Sequence, residues 1–201
     1  TWDNVQVVPE VVVNLVDYAM VHACSLASTD FEAGVDEFVK AGLTPLASLD
    51  VRPPRVAESP IQLECRVVKV ESLGDQGGAG QLVFAEIVRI HARGDVLNAS
   101  GLPDATKLDL VGRCGGDHYV RASGEALFEV PKPLGVLGMG VDAIPEDIRT
   151  SHVLTGNQLA MLGGVECMPD ETDVNEYKLL ELSDVFMRYE GEGVELERAL
   201  H

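Results

Sequence analysis

The clearest pattern in the chain is an alternation of apolar and polar residues over residues 61–73, which is typical of a β-strand with one buried face. Ile61 and Leu63 fall on the apolar face of this strand, and Gln62 and Glu64 fall on the polar face. The alternation therefore predicts a long strand with one apolar and one polar face. Glu58 and Glu64 flank the start of this strand and are expected to pair with Arg55 and Arg66.

A second alternating stretch covers residues 81–93, and the glycine-rich residues 74–80 separate it from the first as a hairpin loop. In this second strand Ile87 and Ile90 fall on opposite faces, so apolar residues lie on both sides. This pattern predicts partial cover on both faces, as in the wall of a barrel with helices or a partner outside. The β-branched residues 11–16 predict a further, buried strand.

Helical spacing predicts short helices over residues 17–26 and 34–42, before the hairpin. Gly42 follows the last turn of the second helix, at the place where glycine commonly ends helices. Three prolines then hold the connection extended and keep it out of a central sheet position. They are Pro53, Pro54 and Pro60.

The rest of the chain predicts fewer strands and more helices. Residues 108–119 form a strand or short helix that runs into a glycine loop, and residues 127–130 form a last strand. Helical patterns follow, ending in an amphipathic helix over residues 175–189. The sequence therefore predicts a β-rich domain over residues 1–130 and a helical C-terminal extension over residues 131–201.

Composition narrows the function classes. With 201 residues and 46% hydrophobic residues, the chain can build one core, and a net charge of −18 makes nucleic acids and anionic membranes poor partners. No stretch predicts a membrane span or a secretion signal. Four widely separated cysteines indicate free thiols and a cytoplasmic location. They are Cys24, Cys65, Cys114 and Cys167.

Residues 34–66 read GVDEFVKAGLTPLASLDVRPPRVAESPIQLECR. This order resembles the flavin reductase-like, FMN-binding split-barrel family, in which a G-x-x-E-F helix ending in G-L precedes a proline-paced entry into a barrel strand. The resemblance implies a mainly β fold with helices, an α+β split β-barrel, with the C-terminal helical extension seen in some members.

The resemblance also indicates which part of the family's barrel the start of this sequence corresponds to. Thr1 and Asn4 match the Thr and Asn of the family's K-D-T-x-x-N segment, which lies about halfway through the barrel. The first barrel strands are therefore expected to be missing, so the barrel is incomplete. Either the sequence is a piece of a longer chain or the protein is a truncated family member.

The family binds FMN at a dimer interface, and the resemblance implies a set of cofactor-binding residues in this chain. Thr1 is either a phosphate-binding hydroxyl or a disordered end. Asn14 interrupts an apolar strand, so its amide either bonds to neighbouring backbone or faces the flavin. The full set is Thr1, Asn4, Asn14, Ala27, Ser28, Gly115, Gly116 and Tyr119.

Two of these motifs keep alternative interpretations. The small pair Ala27 and Ser28 either allows close approach to the flavin or forms an ordinary serine turn. Gly115, Gly116 and Tyr119 match the family's R-x-G-G-x-x-Y segment and either approach the flavin or form a turn followed by a core tyrosine. No metal site is predicted, because too few ligands cluster at the required spacing.

The resemblance implies a cytoplasmic homodimeric flavoprotein, an FMN-dependent oxidoreductase that passes reducing equivalents from NAD(P)H to flavin or another acceptor. It assigns no catalytic side chain, because the flavin carries the redox chemistry. The alternative is a truncated barrel without flavin that acts as a structural or interaction dimer, since an incomplete barrel leaves sheet edges to be covered.

Overall fold

The computed structural model describes residues 2–76, 78–132, 135 and 137–183. The chain divides into two compact units, Thr1–Phe128 and Glu129–His201. The strands of the first unit are β1 (Glu10–Asn14), β2 (Pro45–Leu46), β3 (Arg55–Val56), β4 (Ile61–Ser72), β5 (Gln81–Ala92), β6 (Val111–Gly115) and β7 (His118–Arg121). Its helices are α1 (Trp2–Val7), α2 (Val21–Ala27), α3 (Glu37–Ala41) and α4 (Ala105–Leu108), with 3-10 turns at Gly94–Val96 and Gly124–Ala126.

The main sheet is antiparallel, with β4 between β1 and β5. The long hairpin runs from Ile61 opposite Ala92 to Ser72 opposite Gln81, which confirms the two predicted strands. The other sheets, β2–β3 and β6–β7, have two strands each, and none of the sheets in the described ranges closes into a barrel. The predicted mixture of antiparallel strands with helices is confirmed.

A β-bulge changes the faces of β5. Leu63 pairs with Ile90 and Cys65 pairs with Ile87, so Val88 is an extra residue in β5. Because directly paired residues point to the same face, Ile87 and Ile90 lie together on one face of the sheet. The predicted placement of these two residues on opposite faces is wrong.

Within the single chain, the predicted cover over both faces of β5 is not supplied, and cover by a partner stays a prediction. The large apolar side chains of this strand are 40–61% exposed. They are Leu82, Val83, Phe84, Ile87 and Ile90. The buried core instead lies at the other end of the hairpin, where Ile61, Val96 and Leu108 pack with Leu15, Leu63 and Leu110.

Local capping explains why α3 forms where it was predicted. The Asp36 side chain accepts a hydrogen bond from the Phe38 backbone N–H at 2.9 Å, and Gly42 adopts a left-handed φ of 67° at the end of the helix. Helix α2 begins later than the predicted residue 17. The buried Asp17 carboxylate accepts from the Met20 N–H at 3.1 Å in a turn that precedes the helix.

The segment with paired glycines is the hairpin of β6 and β7, with Gly115 at φ 115° and Gly116 at φ 54°. These values favour glycine. The strand predicted over residues 127–130 is wrong: these residues follow the 3-10 turn Gly124–Ala126 and pair with no strand. Phe128 is 80% exposed, so it lacks the burial that would hold a strand there.

The second unit contains the helices α5 (Glu146–Arg149), α6 (Gly156–Gly163) and α7 (Glu171–Leu180), with a 3-10 turn at Val141–Ala143. Thr155 and Gln158 form a capping box at the start of α6. Helix α7 starts before the predicted residue 175, because Asp170 caps it, and residues 184–189 of the predicted helix lie outside the described residues. In the part of the chain that the structure describes, no helix has the length and apolar character needed to cross a bilayer.

All four cysteines are free, as predicted. Cys65 is buried, and burial raises the pKa of its thiol, while the other three cysteines are exposed. The cytoplasmic location stays a prediction.

Candidate functional site

The first unit contains a cavity of about 650 Å³ beside the main sheet. Its walls are α1, β1, the end of α2, α3 and the proline-rich connection before β4. The lining is largely apolar, from residues Val5, Val8, Val11, Val12, Ala27, Phe38, Leu43, Pro53, Pro54 and Val56. Its polar members are Asn4, Glu10, Asn14, Glu37 and Arg52.

Asn14 bonds to backbone, which is one of the two alternatives predicted for a polar residue in an apolar strand. Its side-chain oxygen accepts from the Val56 backbone N–H at 3.0 Å, and its amide nitrogen donates to the Val12 carbonyl at 3.3 Å. The same side chain lines the cavity. These two bonds hold the amide in one orientation at the cavity wall.

Glu10 and Arg52 form an ion pair at the cavity. One carboxylate oxygen of Glu10 accepts from the Arg52 backbone N–H at 2.9 Å and from its Nε at 3.3 Å. The backbone hydrogen bond from Arg52 is the main cause of the lowered pKa of Glu10. The Arg52 side chain is 70% exposed, and it is the one guanidinium among the described residues that line this cavity.

Glu64 of β4 holds the proline-rich connection against the main sheet. Its side chain is fully buried, and its carboxylate accepts backbone N–H bonds from Leu49 at 2.9 Å, Asp50 at 2.6 Å and Val51 at 3.2 Å. The Nε2 atom of His91 lies 2.6 Å from the carboxylate. The connection that forms one cavity wall is therefore tied to the central strand.

Gln62, two residues before Glu64 on β4, binds the same connection. Its amide nitrogen donates to the carbonyls of Val56 at 3.0 Å and Ser59 at 2.9 Å, and its oxygen accepts from Arg55 at 3.0 Å. Alternation put Gln62 and Glu64 on the polar face of the strand. Both are buried, because the connection folds back over that face. The Nε atom of Arg55 lies 3.8 Å from the Glu64 carboxylate, which agrees with the predicted pairing.

A second cavity, of about 380 Å³, lies between α2 and the β6–β7 hairpin. Its lining is more polar than that of the first cavity and contains rings, hydroxyls and charges. The lining residues are Tyr18, Val21, His22, Ser25, Ser28, Val111, Arg113, Gly116, Asp117, Tyr119, Val120 and Arg121.

The structure divides the predicted cofactor residues between the two cavities. Asn4, Asn14 and Ala27 line the first cavity. Ser28, Gly116 and Tyr119 line the second cavity, with Gly115 next to them in the hairpin. Thr1 lies outside the described residues. Because Ala27 and Ser28 are adjacent at the end of α2, this helix contributes to both cavities.

The Ser28 hydroxyl donates to the Ser25 carbonyl at 2.6 Å, and the Ser28 backbone N–H bonds to the same carbonyl at 3.2 Å. The alternative of a serine turn therefore describes its local geometry. Tyr119 is 45% exposed, so the alternative of a core tyrosine is wrong. Across the described residues, no group of three or more His, Cys, Asp or Glu side chains could hold a metal ion.

Comparison with known proteins gives one family and several structural relatives. Residues 1–106 match the family of the flavin reductase like domain. An uncharacterised protein of Aquifex aeolicus is 32% identical over 130 residues, which cover 65% of this chain and 64% of the relative.

Two solved structures share the fold. The nitrilotriacetate monooxygenase component B from Bacillus cereus has a TM-score of 0.58 at 27% identity, covering 64% of this chain and 63% of its own. The 2-nitrobenzoate 2-nitroreductase of Pseudomonas fluorescens has a TM-score of 0.56 at 26% identity, covering 65% and 64%. The matched part of the chain thus spans less than two thirds of the length of each of these relatives.

Proposed function

Because this chain belongs to the flavin reductase-like domain family, we propose that it is a flavin-dependent oxidoreductase that binds FMN in the first cavity. The family supports a flavin cofactor, and NAD(P)H as the electron donor is part of our proposal. The observation that carries the proposal is that Asn4, Asn14 and Ala27, three of the predicted cofactor residues, line one cavity together. The proposal also includes two domains, a flavin reductase-like domain over residues 1–130 and a helical extension over residues 131–201.

The chemistry of the first cavity fits a flavin. A flavin has a flat, largely apolar ring system with amide-like edges and an anionic phosphate. The cavity offers apolar side chains such as Phe38 and Leu43, the fixed amide of Asn14, and the guanidinium of Arg52. Its volume of about 650 Å³ lies in the range of roughly 300–1,000 Å³ that is usual for small-molecule sites.

When bound, a flavin would supply hydride and electron transfer between a reduced nicotinamide and an acceptor. The chain supplies binding and orientation. The apolar wall excludes water, Asn14 offers its amide at a fixed position, and Arg52 offers a positive charge for the phosphate.

The direct test is a visible absorption spectrum of the full chain, taken before and after FMN is added and the excess is removed by gel filtration. We expect a retained flavin band with a shifted maximum, and oxidation of NADH or NADPH by the loaded protein. A protein that stays colourless after this treatment would contradict the proposed cofactor site.

Arg52→Gln is expected to weaken FMN binding about tenfold and to leave riboflavin binding almost unchanged. The reason is that Arg52 is proposed to meet the phosphate, which riboflavin lacks, and charge-assisted hydrogen bonds contribute roughly 1.5–3 kcal/mol. The measurement is the dissociation constant of each flavin, followed by quenching of flavin fluorescence.

Lys40→Gln is the matched control for Arg52, because it removes one exposed positive charge at the end of α3, near the same cavity but outside its lining. If both variants weaken FMN equally, the effect is general electrostatics and Arg52 does not contact the phosphate. If Arg52→Gln weakens riboflavin as much as FMN, the guanidinium acts on the cavity wall instead.

We also propose that the chain forms a homodimer through one face of the main sheet. Pairing places Val13, Val83, Ile87 and Ile90 on the same face, and each is at least 40% exposed in the single chain. We call these four residues the apolar sheet face. β5 is also an edge strand of twelve residues, and exposed apolar edges are normally paired or covered.

Ile87→Glu is expected to convert the dimer to a monomer, because a charge in the centre of an apolar interface stays unpaired. The measurement is sedimentation equilibrium, in which the native protein should have twice the single-chain mass of 21.6 kDa. Leu82→Glu is the matched control, since Leu82 is 43% exposed on the opposite face of β5 and should leave the dimer intact. A native protein that sediments as a monomer would refute the interface.

A further inference from the structure

The second cavity has a binding surface that the proposed flavin site does not use. One wall is a single face of α2 and its end, with Val21, Ser25 and Ser28 at helical spacing. The opposite wall is the β6–β7 hairpin, in which Arg113 pairs with Tyr119. None of its residues lines the first cavity.

Arg121 makes one side of this cavity rigid. Its Nε and Nη2 atoms each lie 2.7 Å from an oxygen of Asp109, and its guanidinium carbon lies 3.9 Å from the centre of the Tyr18 ring. The hydrogen bond from Arg121 is the largest cause of the lowered pKa of Asp109. Since both Nε and Nη2 of Arg121 are bonded to the two Asp109 oxygens, Arg121 serves as a fixed, flat wall together with Tyr18.

Arg113 is different, because its charge is not balanced in the same way. Its guanidinium makes a long bond of 3.3 Å to the Gly116 carbonyl, and none of the ion pairs within the described ranges involves it. A guanidinium offers five N–H donors in a fork that matches a carboxylate. Of the two guanidiniums that line this cavity in the described part of the chain, Arg113 is therefore the one open to a negatively charged ligand.

The other lining residues limit that ligand further. Asp117 lines the same cavity and disfavours a second negative charge, so a carboxylate fits better than a doubly charged phosphate. Val21, Val111 and the Tyr119 ring give an apolar and aromatic surface beside Arg113. Such a surface favours a flat, aromatic body.

We propose that the second cavity binds a small aromatic monocarboxylate. The Arg113 guanidinium pairs with the carboxylate, and the ring of the ligand packs against Tyr119 and the valines of the two walls. This site is separate from the proposed flavin site, so its test does not depend on whether flavin binds.

The test is a titration of the full chain with sodium benzoate, followed by the backbone amide signals in two-dimensional NMR. We expect the signals of Arg113, Gly116 and Tyr119 to move, and those of Asn14 and Phe38 in the first cavity to stay. Benzamide is the matched neutral probe, and it should bind about tenfold more weakly, because it cannot form the charged pair. The same titration on FMN-loaded protein should give the same benzoate affinity.

Arg113→Gln should remove the preference for benzoate over benzamide, so that the two probes bind with similar dissociation constants. Arg149→Gln removes an exposed arginine of α5 and should keep the preference. This comparison separates the pair formed by Arg113 from the overall charge of the protein.

Three outcomes would overturn the proposal. The first is no benzoate binding up to about 10 mM, which is weaker than a formed pocket with a charged pair should give. The second is equal binding of benzoate and benzamide by the native protein. The third is a set of shifted signals that belongs to the first cavity. The first two use the native protein, so the proposal can be tested even if Arg113→Gln fails to fold.

Discussion

Glu64→Gln is expected to lower the free energy of unfolding by about 3 kcal/mol at neutral pH. The buried carboxylate accepts hydrogen bonds from three consecutive backbone N–H groups and lies 2.6 Å from the Nε2 of His91. Glutamine has the same shape, but one of its two terminal groups is a donor, so it would face donors without a partner. Urea unfolding of the full chain measures the change.

The pH dependence of the free energy of unfolding should show the same stabilisation by Glu64. Burial alone would raise the pKa of Glu64, but the N–H groups of Leu49 and Asp50 and the ring of His91 outweigh it and lower the pKa from 4.5 to about 2. A carboxyl group with a lowered folded-state pKa stabilises the fold above its unfolded pKa. That stabilisation, about 3 kcal/mol, is lost as the pH falls from 4.5 towards 2.

Glu71→Gln is the control for Glu64, because Glu71 lies on the same strand with a side chain that is 45% exposed and pairs, among the described residues, with Lys69 alone. We expect it to change the free energy of unfolding by less than about 1 kcal/mol. Stability of the Glu64→Gln variant should also vary less than that of the native protein between pH 4.5 and 2. Equal effects of the two substitutions would show that the buried network does not hold the proline-rich connection.

Ala27→Phe is expected to weaken flavin binding by about 10- to 100-fold, because the added ring would occupy the first cavity. Ala27 is the last residue of α2 and lines this cavity directly. The measurement is the flavin absorbance retained after gel filtration, with unfolding by urea to show that the variant is folded.

Ala160→Phe adds the same ring at an exposed position of α6 and should leave flavin retention at the native level. If Ala27→Phe keeps its flavin as the control does, the cofactor does not occupy the first cavity.

The parts of the fold that could be predicted are those that local residues determine. The hairpin of β4 and β5 follows from alternation and a glycine loop, and α3 follows from Asp36 and Gly42 at its ends. The bulge at Val88 could not be predicted, because it depends on how β5 pairs with β4 and leaves the sequence pattern unchanged. One extra residue was enough to move Ile90 to the other face.

In the candidate site, too, some residues could be predicted from the sequence and others could not. Asn14 could be identified because an amide within an apolar strand must find partners, and it finds them in Val12 and Val56. For Glu64 the pairing with Arg55 could be predicted, but its burial could not, because it depends on residues 49–51, which lie more than ten positions earlier. The separation of Ala27 and Ser28 into two cavities depends on the direction of each side chain around α2.

The position of β4 in the sheet has a consequence for where the fold opens first. Residues 62–66 of this strand are paired on both sides, with β1 and with β5, whereas residues 69–72 pair with β5 alone, beyond a second bulge. Local unfolding costs least where hydrogen bonds are exposed and neighbours are few. The tip of the hairpin can therefore separate and exchange its amide hydrogens while the half beneath the proline-rich connection stays closed, so that transient opening leaves the walls of the first cavity intact.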